Sequence, residues 1–136
     1  MLTVVIIDPD GAARRETWEP APTGGVLANL QATVGGLVDC VALSPQLDMW
    51  INDDGLTTCE PNPAATLIAA AHGLDAQPYF GPAVFTGGPD DTGDTRPLEP
   101  VQAQALLQLA ETYREQPTIM AETARVSLTW ASPYRT

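Results

Sequence analysis

An α+β fold, with a single mixed, mostly antiparallel sheet and helices packed on one face, is what this sequence predicts. Three observations carry it. Short apolar, β-branched runs are bounded by turn signals. Hairpin-like pairs outnumber strand–helix–strand alternations, which favours antiparallel pairing. At 136 residues, the chain can bury one hydrophobic core but not two.

Leu2 to Ile7 is a continuous apolar run and reads as a buried strand. Asp8-Pro9-Asp10-Gly11 supplies a turn, because Pro presets φ and Gly accepts positive φ. Arg14 to Trp18 is the returning strand, ended by Pro20 and Pro22. Thr23 is positioned to cap a helix over Gly24 to Val34, with Val26, Leu27, Leu30 and Val34 on one face and Gly35-Gly36 as its stop. Leu37 to Leu43 forms a strand that Ser44-Pro45 breaks. Leu47, Met49 and Ile51 alternate with Asp48, Trp50 and Asn52, the period of a half-buried strand. Asn52-Asp53-Asp54-Gly55 reads as a hairpin turn into a partner strand, Leu56 to Cys59. Asn62 caps an alanine-rich helix, Ala64 to His72, with Pro63 in its first turn. Tyr79 to Thr86 is a strand that Gly81-Pro82 pushes toward an edge or a bulge. Gly87 to Arg96 is a polar loop, and Pro100 opens a helix to about Glu115 that Pro117 ends. Last, Ala124, Val126, Leu128 and Trp130 alternate with Arg125, Ser127 and Thr129, a strand pattern suited to an edge strand or an arm on a partner. No internal repeat or dividing linker is evident.

Seventeen carboxylates stand against six cations, all arginine, for a net charge of −11. A protein that grips DNA or RNA neutralises phosphates with Lys and Arg, so direct nucleic-acid binding is not expected. An acidic mimic of nucleic acid, bound by the basic groove of a nucleic-acid enzyme, is compatible with the charge, as is a plain solvated surface. No apolar stretch approaches a membrane span, and the first residues lack a basic leader, so no membrane partner and a cytoplasmic location are expected. Cys40 and Cys59 have no metal-ligand spacing and read as small hydrophobes.

Five segments occur in an order and spacing that resembles a known family: Leu30-Gln31, Val34-Gly35-Gly36, Trp50-Ile51-Asn52-Asp53-Asp54-Gly55, Asn62-Pro63-Ala64-Ala65-Thr66 and Gly81-Pro82-Ala83-Val84. Together they look like domain of unknown function 3846, found in phages, plasmids and bacteria. The resemblance covers about residues 1–115. It divides the chain into a family-like α+β domain, 1–116, and a C-terminal extension, 117–136, bearing the added strand. It carries no catalytic residue or cofactor. It implies a setting among accessory genes of mobile elements, whose products often inhibit or sequester a host component; for a phage-encoded chain the location is the host cytoplasm.

Nucleophilic catalysis needs a base beside the nucleophile. The one histidine, His72, ends a helix, where an imidazolium suits the dipole; a general base is the lesser alternative. Asp90-Asp91-Thr92-Gly93-Asp94 starts like a calcium loop, but its twelfth position is Val101, so an Asx-rich turn is the simpler reading. Gly24-Gly25, Gly35-Gly36 and Gly87-Gly88 are either turn glycines or parts of an anion loop, the last assisted by Thr86, Thr92, Thr95 and Arg96. Trp50 points away from Met49 and Ile51, toward a pocket, a second layer or a subunit.

No catalytic and no metal-binding residues are assigned, and no cofactor. The expected ligand-binding residues are Trp50, Asn52, Asp54, Thr86, Gly87, Gly88 and Arg96, at a place where the Gly87-Gly88 loop meets the Asn52–Gly55 hairpin. There Trp50 would stack on a base and Arg96 would pair with a phosphate. The expected function is a non-enzymatic phage or mobile-element accessory protein that binds and sequesters a small anionic, nucleotide-derived signal or a host protein, in counter-defence. The alternative is an acidic protein–protein inhibitor mimicking nucleic acid, and the third reading is an enzyme. A homodimer is expected through the C-terminal strand and its apolar stripe ending in Trp130.

Overall fold

The computed structural model describes residues 1–74 and 77–135. Five strands form one antiparallel sheet: β1 (Leu2–Ile7), β2 (Ala13–Trp18), β3 (Val38–Ser44), β4 (Leu47–Asn52) and β5 (Ala83–Thr86), in the order β2-β1-β5-β4-β3. The helices are α1 (Leu27–Val34), α2 (Gly55–Thr58), α3 (Pro63–Ala71), α4 (Pro100–Arg114) and α5 (Pro117–Ala131). The α+β class and the single sheet are those the sequence predicts; the sheet is antiparallel at every pairing rather than mixed.

Helices cover both faces rather than one. On the first face, Val5, Ile7, Met49 and Phe85 pack with Ile68 and Ala69 of α3 and Ala103, Leu106 and Ala110 of α4. On the second, Leu30 and Val34 of α1 pack with Leu2, Val4, Ile6, Trp18 and Val84. The reason lies in the central strands. From Val4 to Ile7, and along all of β5, every residue is buried, so both faces must be sealed.

The C-terminal segment is a helix, not a strand. In α5 the positions turned inward are Met120, Ala124, Ser127 and Ala131, at helical spacing, against α3 and α4. Small side chains at 124, 127 and 131 let the helix axes approach. The alternating Val126, Leu128 and Trp130 remain largely exposed. Pro117, read as the end of α4, is the first residue of α5, where its missing N–H costs nothing. The extension is also tied to the rest of the fold beyond α5. Arg135 donates to the Cys59 carbonyl, and its guanidinium carbon lies 5.2 Å from the centroid of the Phe80 ring.

Two further expectations change. The Asn52–Gly55 segment is not a hairpin, and no strand forms over Leu56–Cys59. The Asp54 carbonyl accepts the N–H groups of Thr57 and Thr58, which winds Gly55–Thr58 into the single turn α2. Gly55 is required by close approach, since a Cβ there would lie 2.8 Å from the Phe80 carbonyl oxygen. The strand expected over Tyr79–Thr86 is reduced to β5, because Gly81, at φ +83°, turns the chain.

Asn62 meets its expected role and does more. It is fully buried, caps α3 by accepting from the Ala65 N–H at 3.1 Å, and donates through Nδ2 to the Ile7 and Gly81 carbonyls at 2.9 and 2.8 Å. One side chain thereby fixes α3 to the end of β1 and to the approach to β5.

Candidate functional site

The short helix α1 covers only part of its face. Beside it a cleft of about 660 Å³ opens between the Pro20–Val26 segment, Leu27 and Leu30 of α1, Leu2, Trp50 and the Gly93–Thr95 turn. Ala21 and Gly25 pair through an Ala21 N–H to Gly25 carbonyl bond of 2.8 Å, which folds the segment back as a wall. Gly24 and Gly25, at φ +87° and +60°, make that reversal possible.

Trp50 is held in place on this cleft. It pairs with Val84 across the sheet, on the α1 face. Its Nε1–H donates to Thr86 Oγ1 at 2.9 Å, and the buried Thr86 hydroxyl donates to the Gly87 carbonyl at 2.9 Å. The relay fixes the ring's rotamer and leaves the indole partly exposed toward the cleft.

The loop after β5 supports this relay instead of presenting free donors. The Gly87 N–H donates to the Arg96 carbonyl at 2.9 Å, and the Arg96 N–H to the Gly88 carbonyl at 3.2 Å. A Cβ on Gly87 would lie 2.7 Å from the Pro97 oxygen, and one on Gly88 would run into the Pro45 carbonyl. These glycines serve close packing of three chain segments. Arg96 donates from Nε to the Gly88 carbonyl at 3.1 Å and from its guanidinium to the Pro45 carbonyl at 3.4 Å; it does not line the cleft.

The expected site residues thus separate into two groups. Trp50, Thr86, Gly87, Gly88 and Arg96 belong to one hydrogen-bonded assembly. Asn52 and Asp54 lie toward the other end of β4: Thr86 pairs with Asp48, and Asn52 is four residues further along, about 13 Å at strand spacing. The two loops therefore do not meet. Asn52 is buried, donates to the Val34 carbonyl at 3.0 Å and accepts from the Asp54 N–H at 2.7 Å, so it closes the end of α1.

Of the cleft's other residues, Gly24-Gly25 and Thr95 were visible in the sequence as glycine-pair and loop features. Leu2 and the Pro20-Ala21-Pro22 wall carry no local signal, because only folding brings them opposite Trp50. Asp94 sits in a self-contained turn: Asp90 Oδ1 accepts from the N–H groups of Thr92 and Asp94 and from the Thr92 hydroxyl, and that hydroxyl lies 3.3 Å from Asp94 Oδ2. Thr92, through its hydroxyl and its N–H, holds the Asp90 carboxyl below its usual range, with help from the Asp94 N–H and the Arg96 charge. Among the described residues, no group of three or more His, Cys, Asp or Glu is placed to hold a metal, and no helix is long and apolar enough to cross a membrane.

The groups nearest to nucleophiles and bases are poorly placed for such work. Cys40 pairs with Trp50 on the edge strand β3. Burial, then the Asp48 carboxylate, push its thiol up to about 12, which keeps it protonated. Asp48, buried on the same face, is itself raised by desolvation, partly offset by Cys40. His72 lies at the C-terminal end of α3, its Nδ1 2.8 Å from the Ile68 carbonyl oxygen.

Comparison with known proteins gives one match. The family model described as Domain of unknown function (DUF3846) covers residues 2–114, and the chain belongs to that family. The match ends on the last residue of α4 and leaves α5 outside it. No curated protein and no solved structure matches the chain.

Proposed function

We propose that this DUF3846-family chain is a non-enzymatic accessory protein of a phage or mobile element, which binds and sequesters a small ligand or a segment of a host component in the cleft over Trp50. The observation that carries the reading is the indole held by Thr86 on a cleft of about 660 Å³, positioned before any ligand arrives. The protonated Cys40 thiol and the distant His72 argue against nucleophilic catalysis there. A nucleotide-derived signal would stack its base on Trp50. Its phosphates would have to be held by backbone N–H groups, since Arg96 is engaged with two carbonyls outside the cleft.

Calorimetry with cyclic dinucleotides and ADP-ribose derivatives tests the nucleotide version. Heat in the native protein that disappears in Trp50→Ala supports it, while equal heat in both proteins removes the ligand from this cleft.

One observation favours the second reading, an acidic inhibitor of a basic partner. Arg14 is paired with Asp8 and Glu16, Arg125 with Glu122, and Arg96 and Arg135 with backbone carbonyls, so much of the positive charge is neutralised or engaged within the molecule. A homodimer is proposed on a new basis, the outer face of α5. There Ile119, Val126 and Trp130 are exposed, and the two charges that α5 itself carries, Glu122 and Arg125, cancel. A second copy can approach this face without meeting the charge repulsion of the rest. A dimer mass by light scattering at micromolar concentration is expected, and a monomer mass refutes it.

A further inference from the structure

The cleft over Trp50 has a ligand preference that its outline alone does not disclose. Its walls combine an aromatic face, apolar side chains of Leu2, Val26, Leu27 and Leu30, and one ionisable group, the Asp94 carboxylate. Among the described residues, no arginine or histidine lines it. The surrounding molecule carries a net charge of −11, so the field inside a partly enclosed cleft is negative. An anionic guest meets repulsion from the global field and from Asp94, offset only by the N-terminal turn of α1. A cation meets attraction from the global field, from Asp94, and from the π face of Trp50, where a guanidinium stacks as well as a planar base does.

We infer that the natural occupant is a cationic side chain, an arginine presented on an exposed segment of a partner protein, with its guanidinium on the Trp50 ring and within reach of Asp94. This rests on the proposed binding role of the cleft and names the chemistry of what it binds. The Trp50–Thr86 bond contributes directly: with Nε1–H bound to Thr86 Oγ1, the ring is kept from turning away, and its face stays available. The Asp90–Asp94 turn does the same for Asp94, through the bond from the Asp94 N–H to Asp90 Oδ1.

The test uses the full chain and the peptide acetyl-Gly-Arg-Gly-Arg-Gly-amide, followed by calorimetry at low salt, with cyclic dinucleotides as the anionic comparison. Native protein is expected to bind the peptide. Trp50→Ala should weaken it roughly fivefold and Asp94→Asn about threefold. Glu115→Gln, which removes the same charge from the exposed end of α4, should change it less than about twofold, as expected for a screened, distant charge. Asp94→Asn alters an exposed turn residue, so its result stands even where Trp50→Ala fails to fold. Equal losses in Asp94→Asn and Glu115→Gln would mean that only the overall field attracts the peptide, and would overturn the inference. Binding of cyclic dinucleotides but not peptide, lost in Trp50→Ala, would overturn it while leaving the binding role of the cleft intact. Binding of neither would end both.

Discussion

On one face of the sheet, Val5, Ile7, Met49 and Phe85 lie under α3 and α4, and none of these four side chains reaches solvent. On the other, the eight residues of α1 seal Val4, Ile6 and Val84 and leave Trp50 only partly covered, and polar groups follow: Asp48, Thr86 and the half-open cleft. The same strands supply both faces. The difference is the amount of covering helix: α1 alone, of eight residues, against α3 of nine and α4 of fifteen. The first face is built for burial and yields stability. The second gives up some burial and so leaves the Trp50 ring and the Asp94 carboxylate on an open cleft, with the buried Thr86 hydroxyl holding the ring from below.

If that contrast is right, truncations on the two faces should differ sharply. Phe85→Ala, in the centre of the sealed face, is expected to cost about 4 kcal/mol in urea unfolding. Leu27→Ala, on the wall of the cleft and 46% exposed, should cost no more than about 0.5 kcal/mol. Comparable values would erase the distinction.

The sealed face also depends on the layer behind it. Ser127 is buried in α5, where that helix meets α3 and α4, with its hydroxyl bonded to the Thr123 carbonyl at 2.7 Å. Ser127→Leu should overpack this contact and lower stability by about 2 kcal/mol. A neutral result would show that α5 is only loosely applied.

On the open face, Thr86→Val removes the acceptor for the Trp50 indole and the donor to Gly87. The expected cost is about 1 kcal/mol. It should be accompanied by faster solvent exchange of the Trp50 Nε1–H in proton NMR spectra. An unchanged exchange rate would mean that the ring is held by packing alone.

Asp48 gives an effect of the opposite sign. Desolvation raises its carboxyl above the ordinary 3.8, so the folded state favours the protonated form. That relative stability is complete below about pH 4 and is lost as pH rises through the folded value, because the ionised group is the one that burial penalises. Asp48→Asn should therefore raise Tm at pH 7 by roughly 3 °C. The gain should vanish near pH 4, a dependence that thermal melts across this range can read.

Elements with a strong local cause were legible before folding. Leu2–Ile7 is apolar at every position but one, Asn62 and Pro63 announce a helix start, and Gly35 ends α1 in the left-handed conformation. The C-terminal segment misled because two periods fit it. Val126, Leu128 and Trp130 alternate as in a strand, whereas Ala124, Ser127 and Ala131 recur as in a helix, and hydrophobicity favours the wrong set. What decides is the neighbour: α3 and α4 pack against the face that carries Met120, Ala124, Ser127 and Ala131, so the small residues turn inward. The Asn52–Gly55 segment misled for a related reason. Its glycine suits a hairpin, but it is there because the Phe80 backbone passes close by.

By itself, the sequence determined the α+β class, the antiparallel pairing of short apolar strands, the capped start of α3 and the net charge of −11, all consequences of composition and near-neighbour chemistry. It also singled out Trp50, Thr86, Gly87, Gly88 and Arg96, which fold into one assembly. Only the tertiary structure decided that Asn52 and Asp54 stand apart from them, that Arg96 serves the loop instead of the cleft, and that Leu2, the Pro20–Val26 segment and Asp94 line the cleft beside Trp50. The physical reason is sheet register. Which end of β4 faces the loop after β5 is fixed by the pairing of Asp48 with Thr86, a contact between residues 38 positions apart that no local pattern encodes.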